Sequence, residues 1–414
     1  MKRVVIVAPS FAPASNPPTQ RVRFFTAHLP EFGWHPTVLS VEPRYYEESL
    51  DPEIDALLPP GLEVIRTPAW PAEITRRIGI GDLGIRAYWP MRRVLKHMRP
   101  DLVFIPGPPW HTFLLGAMMR DAFDIPYVLD YIDPWVSSAG ADGRWWSKAF
   151  WYRQVAIALE PRAVRGAAHI TAVSDGTNDG VRARYPWLPA DRCTGIPYGI
   201  EPSDFEALRR RPRAQSLWPA GDGNVHLVSV GAMLPNGYET LRALFSALRL
   251  LGPTRLRLHF VGTTYEPVPR VPLVEPVARE MGLGDIVTEH PARVPYLDAL
   301  NLLVSADGIL ALGSTESHYT ASKIFPSIFA RRPLLAIYHE ASSVCDVVRR
   351  SCGGTLVTYS DTERAESRAE AIADALRGMR EYDASAVRWD VFQAYTARRM
   401  TERLAAVFDR CVSS

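Results

Sequence analysis

Four cysteines in 414 residues, Cys193, Cys345, Cys352 and Cys411, are too few for a disulfide scaffold. No two of them form a C-x-x-C pair, which excludes a zinc knuckle and points to a reducing, cytoplasmic compartment. Long apolar runs are missing as well. No window approaches the roughly 18 uncharged apolar residues of a spanning helix. The apolar stretch in the opening MKRVVIVAPS is only about five residues, short for a signal peptide. Charge of one sign is absent: 47 Lys and Arg face 45 Asp and Glu, for a net charge of +2. That balance argues against a nucleic-acid partner. The loop after the first strand-like run has no G-x-G-x-x-G, and the chain has no Walker A pattern. A dinucleotide fingerprint at the first turn and a P-loop are therefore not expected. No short repeat of solenoid type is visible.

What is present is a globular composition, with 47% hydrophobic and 22% charged residues, enough apolar surface for a core. The length suits two domains. Short apolar runs at 3–8, 36–41, 102–106, 127–130 and 169–174 read as buried parallel strands, with helix-like stretches such as 20–32 and 110–122 between them. A basic, proline-broken segment follows, placed as a linker over 206–220. A second series then begins: strands at 225–230, 255–262, 308–312 and 333–338, and helices at 238–251, 298–305, 321–330 and 341–350. The stretch 389–411 reads as one long amphipathic helix. The expectation is α/β, with a first domain over 1–205 joined by the terminal helix 389–411, and a second over 221–388. In doubly wound sheets, ligands bind outside the carboxyl ends of the strands. The loops to watch are thus 10–19, 107–111, 131–138, 231–237, 262–267 and 313–322.

Asp133 follows the 127–130 strand, where a carboxylate can bond sugar hydroxyls or take a proton, with Trp135 beside it to stack on a sugar face. Asp130, deeper in the strand, reads as structural. His111 opens the helix after 107–110 and is a further candidate. Arg21 and Arg23, early in the first helix, are placed to reach an anion. In the second half, 313–323 follows a strand and opens a helix. Thr320, Ser322, Lys323 and free amides converge there on what suits a diphosphate. Glu316 is placed to accept from sugar or ribose hydroxyls.

Five stretches together (4–10 with 33–39, 99–103, 127–135, 171–174 with 196–201, and 321–336) resemble the GT-B glycosyltransferases, most of all glycosyltransferase family 4. The resemblance implies two Rossmann-like domains facing across a cleft, with a C-terminal helix crossing back. It implies a nucleotide-diphosphate sugar as donor substrate in the second domain, no other cofactor and no metal. The acceptor, a lipid-linked glycan or a cell-surface polysaccharide, would lie in the first. Carried over, Ser322 and Lys323 meet the phosphates, Gly231 starts the loop beneath the donor, and Asp133 touches the transferred sugar. Tyr198-Gly199 forms the turn leaving the first domain. Many members carry two glutamates eight positions apart; His318 and Pro326 occupy those positions here, with Glu316 two residues earlier. The 231–237 loop also lacks the family's arginine and lysine, so donor binding would lean on Lys323, amides and Arg293. Alternatives of other classes are a non-catalytic relative that binds a glycan or protein, and a nucleotide-sugar epimerase. Finally, Trp70, Trp89, Arg76, Arg77, Arg86, Arg92, Arg93 and Lys96, with the run 144–153, mix basic and aromatic residues as a bilayer interface does. Peripheral contact at the inner face of the membrane is the expectation.

Overall fold

The Val- and Ile-rich runs form parallel strands because helices cover both faces of each sheet, the setting that favours continuous β-branched stretches. The computed structural model describes residues 1–233, 235–266, 271–316 and 320–413. The chain divides into two units, Met1–Tyr198 with Ala397–Ser414, and Gly199–Thr396.

In the first unit seven strands, β1 (Lys2–Val7), β2 (Trp34–Val41), β3 (Glu63–Thr67), β4 (Leu102–Gly107), β5 (Tyr127–Tyr131), β6 (His169–Ala172) and β7 (Cys193–Gly195), form one parallel sheet in the order β3-β2-β1-β4-β5-β6-β7. Ile6 pairs with Val38 on one side and Phe104 on the other. The helices are α1 (Pro17–His28), α2 (Ala72–Thr75), α3 (Leu83–Met98), α4 (Phe113–Phe123), α5 (Lys148–Arg165) and α6 (Asp175–Arg184). Asn16 caps α1 by accepting from the Thr19 N–H, and prolines hold its first turn.

The second unit has β8 (Val225–Val230), β9 (Leu256–Val261), β10 (Val287–His290), β11 (Gly308–Leu312), β12 (Leu334–His339) and β13 (Thr355–Tyr359), again parallel, in the order β10-β9-β8-β11-β12-β13. Its helices are α7 (Pro202–Arg210), α8 (Tyr238–Leu251), α9 (Glu275–Glu280), α10 (Tyr296–Ser305), α11 (Ile324–Phe329), α12 (Ser343–Ser351), α13 (Ala369–Gly378) and α14 (Trp389–Phe392). Both sheets are thus doubly wound. The strand order reverses between β1 and β4 in the first and between β8 and β11 in the second. Those reversals open the crevices where ligands bind.

Two expected boundaries shift. Helix α7, expected at the end of the first domain and start of the linker, packs on the second unit. Asp204 accepts from the Tyr296 hydroxyl at 2.9 Å, and Phe205 meets Phe329 edge-on at 4.8 Å. The rest of the expected linker is anchored there too: Arg213 pairs with Asp298 at 2.8 Å, and Trp218 stacks on His226. The terminal helix is also broken. Thr396 is extended, with ψ 150°, and bridges to Ile200. Helix α15 (Ala397–Val412) then starts afresh in the first unit, where Phe408 packs edge-on against Trp34 and Phe104.

Each unit buries a histidine in neutral form. His169 on β6 and His259 on β9 both have pKa values lowered from 6.5 to about 4, chiefly by desolvation. Below pH 6.5 the unfolded chain takes up protons that these imidazoles refuse, so stability falls as pH drops from 6.5 towards 4. Thermal melts between pH 7 and 5 are expected to show a steadily falling Tm; a flat profile would contradict the burial of neutral imidazole.

Candidate functional site

At the β8–β11 reversal two loops come together. The first leaves β8 at Gly231, whose φ of 125° is one that side-chain-bearing residues avoid. A Cβ there would stand 3.7 Å from Lys323 Cδ. The second leaves β11 at Gly313, where a Cβ would lie 2.7 Å from the Tyr338 ring. Only glycine lets the chain pass so close to β12. The loops are tied together: the Thr315 N–H donates to the Asn236 carbonyl, and Asn236 Nδ2 donates to Glu316 Oε1, both at 2.9 Å. From behind, the Tyr359 hydroxyl donates to the Ser314 carbonyl at 2.7 Å.

Between them lies a small pocket lined by Ala232, Met233, Gly237, Leu312, Gly313, Ser314 and Lys323. Lys323 is fixed from its backbone, since its carbonyl accepts from both the N–H and the hydroxyl of Ser327, at 3.2 and 2.7 Å. Among the described residues no carboxylate stands within ion-pair distance of its ammonium, and burial alone brings its pKa from 10.5 to about 8. The amides of Ala232 and Ser314 have no acceptor among the described residues. A desolvated cation without a counter-ion, beside two free N–H donors, is an environment that rewards a bound anion.

The other candidates of this unit spread around the pocket's surroundings. Helix α11, expected over 321–330, has only six residues, so Ser322 and Lys323 form the turn before it. Ser322 Oγ has no side-chain partner among the described residues. Thr320 Oγ1 lies 2.8 Å from Ser343 Oγ at the start of α12. Glu316 is exposed and held by Asn236. Arg293 follows β10, its guanidinium 5.4 Å from the Tyr265 ring centre and its Cα 3.8 Å from where a Gly262 Cβ would sit. Ser317, His318, Tyr319, Leu234 and Pro267 lie outside the described residues.

In the first unit, Asp133 is exposed just past β5, its carbonyl accepting from Trp110 Nε1 at 3.1 Å. Trp135 is not the stacking surface expected. It is 1% exposed and packs edge-on against His111 and Phe113, because the chain after β5 turns back into the core. His111 is buried too, its ring against Trp135 and Tyr152 and its Nδ1 3.4 Å from Asp82. Arg21 does not reach for an anion. It is fully buried in a two-pronged pair with Asp130, Nε to Oδ2 at 2.6 Å and Nη2 to Oδ1 at 2.8 Å. Arg23 is equally buried and donates to Gln20 at 2.8 Å. Asp130 is structural, as its depth in the strand suggested. The sequence does spell G-x-G-x-x-G at Gly79, Gly81 and Gly84. It lies between a 3-10 turn and α3 rather than after a strand, so it has no dinucleotide geometry.

Residues 18–199 match the family model described as a glycosyl transferase 4-like domain. No protein of curated function matches the sequence. Among solved structures, the chain is similar to HepE of Anabaena in complex with UDP and glucose (15% identity, 99% of this chain and 100% of that one, TM-score 0.68). It is also similar to sucrose-phosphate synthase of Thermosynechococcus elongatus (16%, 100% and 97%, TM-score 0.60) and to UDP-GlcNAc 2-epimerase of Methanocaldococcus jannaschii (12%, 99% and 100%, TM-score 0.55). At such identities the likeness is one of fold, and it matches the two doubly wound sheets. Residues 18–199 are thus similar to a glycosyl transferase 4-like domain, and the fold over the length of the chain is the GT-B fold.

Proposed function

We propose that the protein is a glycosyltransferase that takes a nucleotide-diphosphate sugar in its second unit and passes the sugar to an acceptor held by its first. The observation that carries this reading is Lys323, a half-buried, desolvated cation with no carboxylate partner among the described residues, facing a glycine-floored pocket at the strand reversal. The fold neighbours add support: HepE is solved with UDP, which fits a pocket built for a diphosphate.

In this reading the bond between the anomeric carbon and the diphosphate oxygen breaks as an acceptor hydroxyl oxygen closes on that carbon and gives up its proton to the departing diphosphate or to water. The electron pair of the breaking bond stays on the diphosphate. The Lys323 ammonium and the Ala232 and Ser314 amides stabilise that growing charge, strongest in the transition state. In this reading the transfer is metal-independent, with cationic side chains and amides in place of a divalent ion. Ser322 and Thr320 bond phosphate oxygens, and Gly231 keeps the floor low enough for them. Arg293 supplies a second positive charge, while Glu316 and Asp133 orient sugar hydroxyls. His111 supports the first-unit loops from beneath rather than meeting substrate. The acceptor is a lipid-linked glycan or a cell-surface polysaccharide, reached at the cytoplasmic face of the membrane.

A thermal-shift panel of nucleoside diphosphates and their sugars tests the donor site. One nucleotide is expected to raise the Tm of the wild-type chain and to leave Lys323→Ala unmoved. No shift with any nucleotide would favour the non-catalytic alternative.

A further inference from the structure

Six of the eleven tryptophans are exposed, and all six lie in the first unit. Large exposed aromatics are informative where they gather, because solitary ones are ordinary. Trp70 and Trp89, at 57% and 61%, and Trp145, Trp146 and Trp151, at 58–70%, lie just before α2, on α3, before α5 and on α5. On α5 the solvent side is itself apolar: Trp151, Val155 and Ala158 follow at helical spacing and all are exposed.

These elements adjoin one another. Trp70 exchanges hydrogen bonds with Arg86 of α3, its N–H to the Arg86 carbonyl and Arg86 Nη1 to its own, both 3.1 Å. Asp82, the cap of α3, stands 3.4 Å from His111, whose ring packs at 6.0 Å on Tyr152 of α5. The face is also basic. Residues 70–98 and 142–165 hold eleven Lys and Arg against four Asp and Glu; Arg86, expected in this cluster, is instead buried and paired with Glu47, and Glu160 is buried against Arg184, which leaves ten against three, while the whole chain carries only +2. Arg92 lies over the Trp89 ring at 5.1 Å, which keeps cation and aromatic side by side at the surface. No helix among the described residues is long and apolar enough to cross a membrane.

We propose that this face docks on an anionic lipid bilayer. Its indoles enter the headgroup boundary, and its arginines and lysines sit over the lipid phosphates. The proposal is independent of which donor the second unit takes.

Co-sedimentation with vesicles of phosphatidylcholine alone, or with about 30% phosphatidylglycerol, tests it. Wild-type protein is expected to bind the anionic vesicles at 0.1 M salt, with a blue shift of its tryptophan emission, and to bind about tenfold less with neutral vesicles or at 0.5 M salt. The triple variant Trp145→Ser/Trp146→Ser/Trp151→Ser is expected to lose binding about tenfold or more at unchanged Tm. Arg92→Glu/Arg93→Glu/Lys96→Glu is expected to do the same through charge alone. Absence of wild-type binding would overturn the proposal, as would equal binding by both variants. So would self-association without vesicle binding, which would make the face an interface between copies. Nucleotide thermal shifts on the same variants report separately on the donor site.

Discussion

Raising the pH from 7 to 9 is expected to weaken nucleoside diphosphate binding about tenfold, and Lys323→Gln to remove that dependence. One proton sets this dependence. Burial holds Lys323 at about 8 in the free chain, well below its usual 10.5. A diphosphate beside it favours the charged form and raises that value, so binding takes up a proton above pH 8. Each further pH unit then costs close to tenfold in affinity, about 1.4 kcal/mol. The variant lacks the titrating group, so any residual dependence belongs to the nucleotide itself. Stability moves the other way. Because the folded pKa is lowered, the free protein gains stability as pH rises from about 8 to 10.5, and at pH 7 it bears the cost of a buried charge. Lys323→Met is therefore expected to raise the Tm of the free chain at pH 7 while abolishing nucleotide binding, as sites built for function rather than stability do. Affinities by titration calorimetry at pH 7, 8 and 9, and melts of both variants, check these outcomes.

Asp130→Ala is expected to destabilise the first unit by about 3–5 kcal/mol, because it strands the buried Arg21 guanidinium. Asp130 is fully buried, takes two hydrogen bonds from Arg21 and a third from Thr171 Oγ1 at 2.7 Å. Arg21 also donates to the Pro197 carbonyl at 3.0 Å and lies over the Phe25 ring at 4.9 Å. The pair thereby fastens α1 to β5 and to the segment leading to Tyr198, where the unit ends. Replacing both partners with apolar residues, Arg21→Met with Asp130→Leu, is expected to cost far less, since no charge is then left alone. Urea unfolding followed by far-UV circular dichroism separates the two; equal losses would show that packing, rather than the uncompensated charge, sets the cost.

The interior strands were legible in the sequence because burial on both faces leaves an unbroken apolar run, as in Leu102–Gly107 and Gly308–Leu312. The strands missed are β3, β7, β10 and β13, the outermost of each sheet. An edge strand is covered less, so its pattern is diluted: β3 is only partly buried along most of its length, and β7 has three residues. Helix α7 was assigned to the wrong unit because its apolar face names no partner; Phe329, which it meets, lies more than a hundred residues on. The same distance hid Arg21's role. An arginine early in a helix beside a sheet looks available until Asp130, 109 residues later, is placed against it. Trp135 misled for the opposite reason, since an aromatic beside an exposed aspartate is read as surface, yet the chain turns inward between them. Of the pocket, the order strand, glycine, loop could be read around Gly231 and Gly313. That Lys323 lacks a carboxylate could not, because an absent partner leaves no mark in a sequence.

The most direct test is nucleotide release from nucleotide-diphosphate sugars by the wild-type chain and by Lys323→Ala, with a detergent-solubilised lipid-linked glycan supplied as acceptor. Release of nucleoside diphosphate from one donor, dependent on the acceptor and lost in Lys323→Ala, is the predicted result. Release unchanged in Lys323→Ala would contradict the assignment of the pocket, and no release from any donor would contradict the transferase itself.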